Sequence, residues 1–514
     1  MSKLTSLDLF ELVKSLTKSE KRYFKLFSSW HVLGDGNSYV KLFDALTRQK
    51  TYDEGTLKRS LQVPRLDLLK NHLYKSILQS LSDFHSNSSV NAQIQNLIFQ
   101  SEILYKRGLK KAADKILHKA EYLALEHEKH EYLLIASSIK ANNALEFVDM
   151  EEMNNFVESG IKKEKKSYEV FKNTSDYRNL AIKIGVLDQS PEVVSTNATL
   201  KQKLKQLFGD QLLKKSNSAY TASAKKHFYN LHYKRFLSEN KWNEESCSIL
   251  KEWVDYLEKK PNTRNNLPEL YLKALGRLLG AYNFTGKQFE AEITYSRGLN
   301  FYKSLPKKSV SKSIQQAFAS VTTNYMGGQL YFFKPENCIL AFNDMNHPAF
   351  PGVANKELNI VGYINLSFSY FFLEKYREAL SCLNKILSIK SDFRTDVQAL
   401  ARTLSLIVHF EMKNNESLPY LSKSVERWLE KHNYQPKHFD KVLIDFFKNK
   451  AYKITNSKEE KKEFALLFSQ FKKMNVTEYS ILKKEVDPAL WVESKIQNRK
   501  MLEMMKVKSS RIQE

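Results

Sequence analysis

Two imidazoles three residues apart, in His127-Glu128-Lys129-His130, come nearest in this chain to a metal-chelating pair. Zinc needs further ligands of matching type, and none stands at a useful spacing. A helix-end turn, where His favours the dipole, explains the pair as well. His227 and His232 are five apart and project from different faces of a helix. Gly280 to Lys287 resembles a phosphate-binding loop only in outline. Five residues separate Gly280 from Gly286 where four are needed, and Gln288 stands where Ser or Thr would meet magnesium. Gly276 and Gly280 read instead as close-packing positions, and Gly286 as a hairpin turn. The neighbouring carboxylates Glu151-Glu152 and Glu459-Glu460 point about 100° apart on a helix, which suits helix N-terminal turns and not an acid/base pair. No G-x-S-x-G elbow exposes a serine nucleophile. Cys247, Cys338 and Cys382 are odd in number, far apart and without a CxxC pair, so neither a disulfide framework nor structural zinc is expected. No cofactor, metal or catalytic residue is assigned.

The elements behind these residues are helices. Only 15 Gly and 11 Pro occur in 514 residues, less than half their ordinary usage. Hydrophobic residues make up 42%, which excludes wholesale disorder. The length exceeds one compact core, so an elongated array or several domains are expected. Asp8 and Glu11 interrupt the first apolar segment, against a signal peptide. No run of about 18 apolar residues suggests a membrane span, and a reducing cytoplasm fits the cysteines.

Residues 1–86 form a distinct N-terminal basic helical module. Leu9, Phe10, Leu12, Val13 and Leu16 give a first amphipathic helix, and Thr17 with Glu20 a capping box. The next helix turns Tyr23, Phe24, Phe27 and Trp30 inward. Tyr39, Leu42, Phe43 and Leu46 follow a Gly34-Asp35-Gly36-Asn37 turn at helical spacing. After Pro64 a helix spans about Leu66 to Phe84, and Ser86 to Ser89 make a boundary. Pro191, Pro261, Pro268, Pro306, Pro335, Pro348, Pro351 and Pro436 fall between helices. The intervals 187–199 and 344–356 are expected as the longest loops. Residues 476–514 make a C-terminal capping helix and tail, with the helix running from Asp487-Pro488 to about Met505 and partly exposed.

Between them, 90–475 reads as paired helices. Tyr363, Leu366, Ser367 and Tyr370 precede Tyr376, Ala379, Leu383 and Ile386. Leu275, Leu278, Leu279 and Tyr282 precede Gly286, Ala291 and Tyr295. Leu97, Ser101 and Leu104 precede Gly108, Ala113, Leu117 and Ala120. Small residues at 113, 291 and 379 suit helix crossings, where only a short side chain allows close approach. The pattern resembles the tetratricopeptide repeat. The resemblance implies an all-α, TPR-like α-solenoid of stacked helical hairpins, about eight or nine in number. It also implies binding of a protein or peptide on a concave face lined by the first helix of each hairpin. With no catalytic cluster, and with cysteines that fit the cytoplasm, the expectation is a non-enzymatic, cytoplasmic scaffold. Lys273, Asn283, Phe368 and Phe371 are the contact candidates on that resemblance. The helix from Tyr363 to Phe372 is apolar on nearly all sides, which equally fits burial against a neighbouring hairpin.

The net charge of +24 raises an alternative, a nucleic-acid-binding regulator. Its contact would be a helix-turn-helix-like N-terminal module, through Lys21, Arg22, Lys25, Lys58, Arg59 and Lys70. Against it, Lys exceeds Arg roughly four to one, whereas bidentate base and phosphate recognition favours Arg.

Overall fold

A computed structural model describes residues 6–30, 38–61, 65–87, 89–143, 150–187, 198–345, 356–389, 393–434, 438–473 and 488–506. The Gly34 to Asn37 turn, Pro64, Ser88, Pro191, Pro348, Pro351, Pro436 and Asp487 lie outside these residues, as does most of the two long intervals. Every regular element among the described residues is helical. The chain divides into two compact units, Met1–Ser175 and Asp176–Glu514.

The first unit begins with α1 (Ser6–Ser15), α2 (Lys18–Trp30), α3 (Ser38–Arg48), α4 (Glu54–Leu61) and α5 (Leu66–His85). Their apolar faces close one core around Leu9, Val13, Phe24, Leu42, Leu46, Leu73 and Ile77. The expected capping box starts α2: the Thr17 backbone N–H donates to Glu20 Oε2 at 2.7 Å, and the Glu20 N–H donates to Thr17 Oγ1 at 3.3 Å. A second core follows in α6 (Val90–Lys106), α7 (Lys110–Glu126) and α8 (His130–Asn142). Ser89 caps α6 by accepting the Ala92 N–H at 3.2 Å. The division between units falls inside the long α9 (Met150–Leu187).

The second unit continues with α10 (Ala198–Phe208), α11 (Ala222–Glu239), α12 (Glu244–Glu258), the short α13 (Pro261–Asn266), α14 (Pro268–Phe284) and α15 (Gln288–Ser304). Then come α16 (Lys312–Tyr331), α17 (Pro335–Met345), α18 (Lys356–Phe372), α19 (Tyr376–Leu387), α20 (Thr395–Glu411) and α21 (Leu418–Lys431). The unit ends with α22 (His438–Asn449), α23 (Ser457–Lys472) and α24 (Pro488–Gln497). Packing is sequential. Each first helix (α11, α14, α16, α18, α20) lies against its own second helix, and also against the first helix of the next pair. Pro261, Pro268 and Pro335 occupy first helical positions, where the missing N–H is no loss.

One turn recurs at the end of the first helices. Gly108, Asn240, Gly286, Phe333, Glu374 and Lys413 all have φ between 50° and 74°. The residue after each donates its N–H back into the last helical turn: Lys287 to Tyr282 O at 2.9 Å, Lys334 to Gln329 O at 2.8 Å, Lys375 to Tyr370 O at 2.8 Å. This is the Schellman arrangement, which satisfies otherwise orphaned carbonyls. Five positions after four of these residues stand Ala113, Ala291, Cys338 and Ala379, each fully buried where the second helix crosses the first. The left-handed residues at 286, 333, 374 and 413 are 47, 41 and 39 apart, longer than the tetratricopeptide period of 34.

The C-terminal segment differs from the single, partly exposed helix expected of it. Asn498 at φ 50° ends α24, and a separate short helix follows at 501–506. Trp491 and Val492 are buried, and the Trp491 indole N–H donates to Glu411 Oε1 at 2.7 Å. The Asn, not the apolar pattern, sets the break.

Ala379→Phe should overpack the α18–α19 crossing and cost roughly 1–3 kcal/mol. Asn384→Ala, on the exposed face of the same helix, should stay within about ±0.5 kcal/mol. Denaturant melts compare the two; equal, negligible shifts would show the crossing to be misplaced.

Candidate functional site

Buried and half-buried polar residues join the first helices of the second unit. Asn283 Nδ2 on α14 donates to the Asn324 carbonyl on α16 at 2.7 Å. Asn324 Nδ2 donates back to the Gly276 carbonyl at 3.0 Å, and Asn365 Nδ2 on α18 donates to the Thr323 carbonyl at 3.3 Å. Earlier in the unit, Arg277 Nε donates to Asn230 Oδ1 at 3.3 Å and its guanidinium lies 4.3 Å from the centre of the Tyr233 ring. Glycine makes this proximity possible. A Cβ on Gly280 would lie 2.8 Å from the Tyr233 hydroxyl, and one on Gly328 would overlap the Asn283 carboxamide. The paired numbers rise together (230 with 277, 233 with 280, 276 with 321, 283 with 328), so consecutive first helices run parallel and nearly in register.

The four contact candidates divide. Lys273 is exposed, with Nζ 3.8 Å from Glu269 one turn earlier. Asn283 is half-buried and spends its amide on α16. Phe368 is 0% exposed and Phe371 4%, inside a core they share with Phe372. The structure brings none of the other three to the surface beside Lys273. On α14 and α16 polar residues are left half-exposed: Arg277 on α14, then Gln316, Ser320 and Asn324 along one line of α16.

Three of the six candidate cations of the N-terminal module are matched by carboxylates. Lys25 pairs with Asp44 at 2.7 Å and Lys58 with Glu54 at 3.0 Å. Lys70 is 4% exposed and held by Glu54 at 2.9 Å and Asp67 at 3.1 Å. The hydrogen bonds from Lys70, Lys58 and Tyr52 pull the Glu54 carboxyl down to about 2. Arg59 turns back to the Gly55 carbonyl at 3.3 Å. Lys21 is half-buried and Arg22 exposed.

The histidines serve packing. His127 caps α7 and His130 opens α8, on either side of Glu128 at φ 53°. His232 is 4% exposed between Phe228 and Phe236, and its Nε2 donates to the Leu213 carbonyl at 3.0 Å, leaving Nδ1 without a partner. Burial, reinforced by Arg235, lowers its pKa to about 4, and burial with Lys226 and Arg178 does the same for His227. No group of three or more metal-binding side chains occurs among the described residues. The three thiols are free and buried, and burial raises the pKa of Cys247 and Cys382. Gly280 lies mid-helix and Gly286, at φ 74°, makes a turn, so no phosphate loop forms there. Asn456 caps α23, and Glu459 in its first turn accepts the Thr455 N–H at 3.0 Å. Glu151 and Glu152 open α9, their side chains lying outside the description.

No protein-family model matches the sequence, and no curated protein matches it as a relative. The asparagine contacts carry the inter-helix geometry, and sequence reading missed them. The recurrence of Asn283, Asn324 and Asn365 at intervals of 41 was the available signal.

Gly328→Ala should cost roughly 1–3 kcal/mol by overpacking, and Asn283→Ala about 1 kcal/mol for its lost hydrogen bond. The double variant should lose less than the sum, by on the order of 1 kcal/mol, because the second change removes the overlap. Additive losses would exclude the contact. For His232, the unfolded chain takes up a proton near pH 6.5, while the folded chain resists until about 4. Stability is therefore full above about 6.5 and falls as the pH drops towards 4. His232→Gln should flatten that slope by about one proton; an unchanged slope would show that His232 does not titrate on unfolding.

Proposed function

We propose that the chain is a non-enzymatic, cytoplasmic scaffold built on a tetratricopeptide-like solenoid, with a protein or peptide held along the outer strip of its first helices. The observation that carries this reading is the repeated unit itself. Parallel first helices, each followed by a left-handed turn and, after α14, α16 and α18, by a small residue at the crossing, are stacked in chain order. Such stacking presents equivalent positions side by side, as a binding strip for an extended partner requires. With Phe368 and Phe371 in the core, the strip consists of Lys273, Arg277, Gln316 and Ser320. The buried thiols with raised pKa and the neutral, buried histidines support a structural role for the residues whose chemistry is most reactive. Three free cysteines suit a reducing compartment, and no described helix is long and apolar enough to cross a membrane. The carboxylates that pair with Lys25, Lys58 and Lys70 make the helix-turn-helix reading the weaker one.

Affinity capture from native lysate with the full chain, with and without nuclease, tests the reading. A defined protein should remain after nuclease, be lost with Gln316→Arg plus Ser320→Arg, and survive Ser381→Arg on the exposed face of α19. Loss on nuclease treatment, or equal loss from both sets of changes, would overturn it.

A further inference from the structure

We propose that the edge of the second unit where α11, α14 and α16 begin binds the sugar-phosphate backbone of a single-stranded nucleic acid. This goes beyond the scaffold reading and uses a different surface. Because these helices pack parallel and nearly in register, their starts lie side by side, with about 10 Å between neighbouring axes. The segments leading into them, 211–221, 259–268 and 303–315, contain no Asp or Glu. They carry Lys214 and Lys215, then Lys259, then Lys307, Lys308 and Lys312, all exposed. Among the described residues none of these six lysines has a carboxylate within ion-pair reach.

The other end of the same helices is built differently. There Lys287 meets Glu244 at 2.6 Å, Lys334 meets Glu292 at 3.0 Å and Lys241 meets Glu239 at 3.5 Å. At the starting edge Lys303 reaches Asp344 at 3.5 Å and Arg297 reaches Glu258 at 3.7 Å, and the six lysines stand outside those pairs. The first turns of α11 and α16 hold no acidic residue either, so the helix dipoles add to the lysines.

The chemistry of the edge selects the occupant. The one arginine of these segments, Arg264, is half-buried over the Tyr271 and Phe301 rings, and a row of exposed lysines neutralises phosphates without reading bases. Tyr220, 58% exposed beside Lys214 and Lys215 in chain order, offers a ring on which an unpaired base can stack. A membrane surface fits less well, because insertion needs a free apolar face. The apolar residues here, Leu213, Leu267 and Val310, pack into the protein's own core.

Fluorescence anisotropy of a labelled oligouridylate of roughly 20 nucleotides, titrated with the full chain over a salt series, decides the matter. Binding should weaken steeply with salt. Lys307→Gln, Lys308→Gln and Lys312→Gln together should lower affinity at least about tenfold and reduce the log–log salt slope by about 2, at roughly 0.7 per phosphate contact. The same exchange at Lys21, Arg22 and Lys58 should change neither, and circular dichroism should show both triple variants folded. The proposal is overturned by absent binding at low salt or by equal losses from the two triple variants. Tighter binding to duplex, or to phosphatidylserine vesicles, than to the single strand overturns it as well.

Discussion

Parallel contact between consecutive first helices is the constraint on which the second unit depends. Asn283, Asn324 and Asn365 donate to backbone carbonyls that already serve their own helices. That requires the helix backbones to come close, and closeness requires Gly280 and Gly328. A buried carboxamide without a partner costs about 1–3 kcal/mol, so any slip along the helix axis would be penalised at several places together. Apolar packing alone, being non-directional, would tolerate such a slip. The asparagines thus fix register while the surrounding Leu, Ile and Phe supply the burial.

The charges follow from that register. Where carboxylates of one pair reach the turn lysine of the next, as Glu244 reaches Lys287, the pairing is itself a product of stacking. In the first unit the reach is between elements of one small core: Lys70 of α5 lies between Glu54 of α4 and Asp67 one turn earlier. A buried ammonium is tolerable only with such partners. Its high charge therefore says little about ligands until each lysine has been placed.

The local chemistry was readable from sequence, and its spatial consequences were less so. The Thr17–Glu20 box, the Gly286 turn and Ala379 at a crossing all depend on residues close in the chain, and each stands where the spacing puts it. Phe333, Glu374 and Lys413 adopt the same left-handed turn without the glycine that would have announced it, because the hydrogen bonds and packing around them override local preference. Asn283 looked like a surface residue by its repeat position, yet its partner is 41 residues away. Lys25 and Lys70 looked available because their partners, Asp44 and Glu54, sit on other helices. The all-round apolar character of the Tyr363 to Phe372 helix did signal burial, and Phe368 is buried accordingly.

The same asparagine bonds bear on how the chain reaches its structure. They span 41, 48 and 42 residues, so each is made between adjacent pairs and none reaches across the unit. Loop-closure entropy grows only slowly with length, and contacts between near neighbours are met early. Assembly can then start at any pair and spread by addition of the next, with each new helix finding a finished edge to join. A chain emerging from a ribosome meets that condition residue by residue, before its C-terminal half exists. The closing contacts, from Trp491 back to Glu411 across 80 residues and from Lys500 back to Glu374, have to wait for the end.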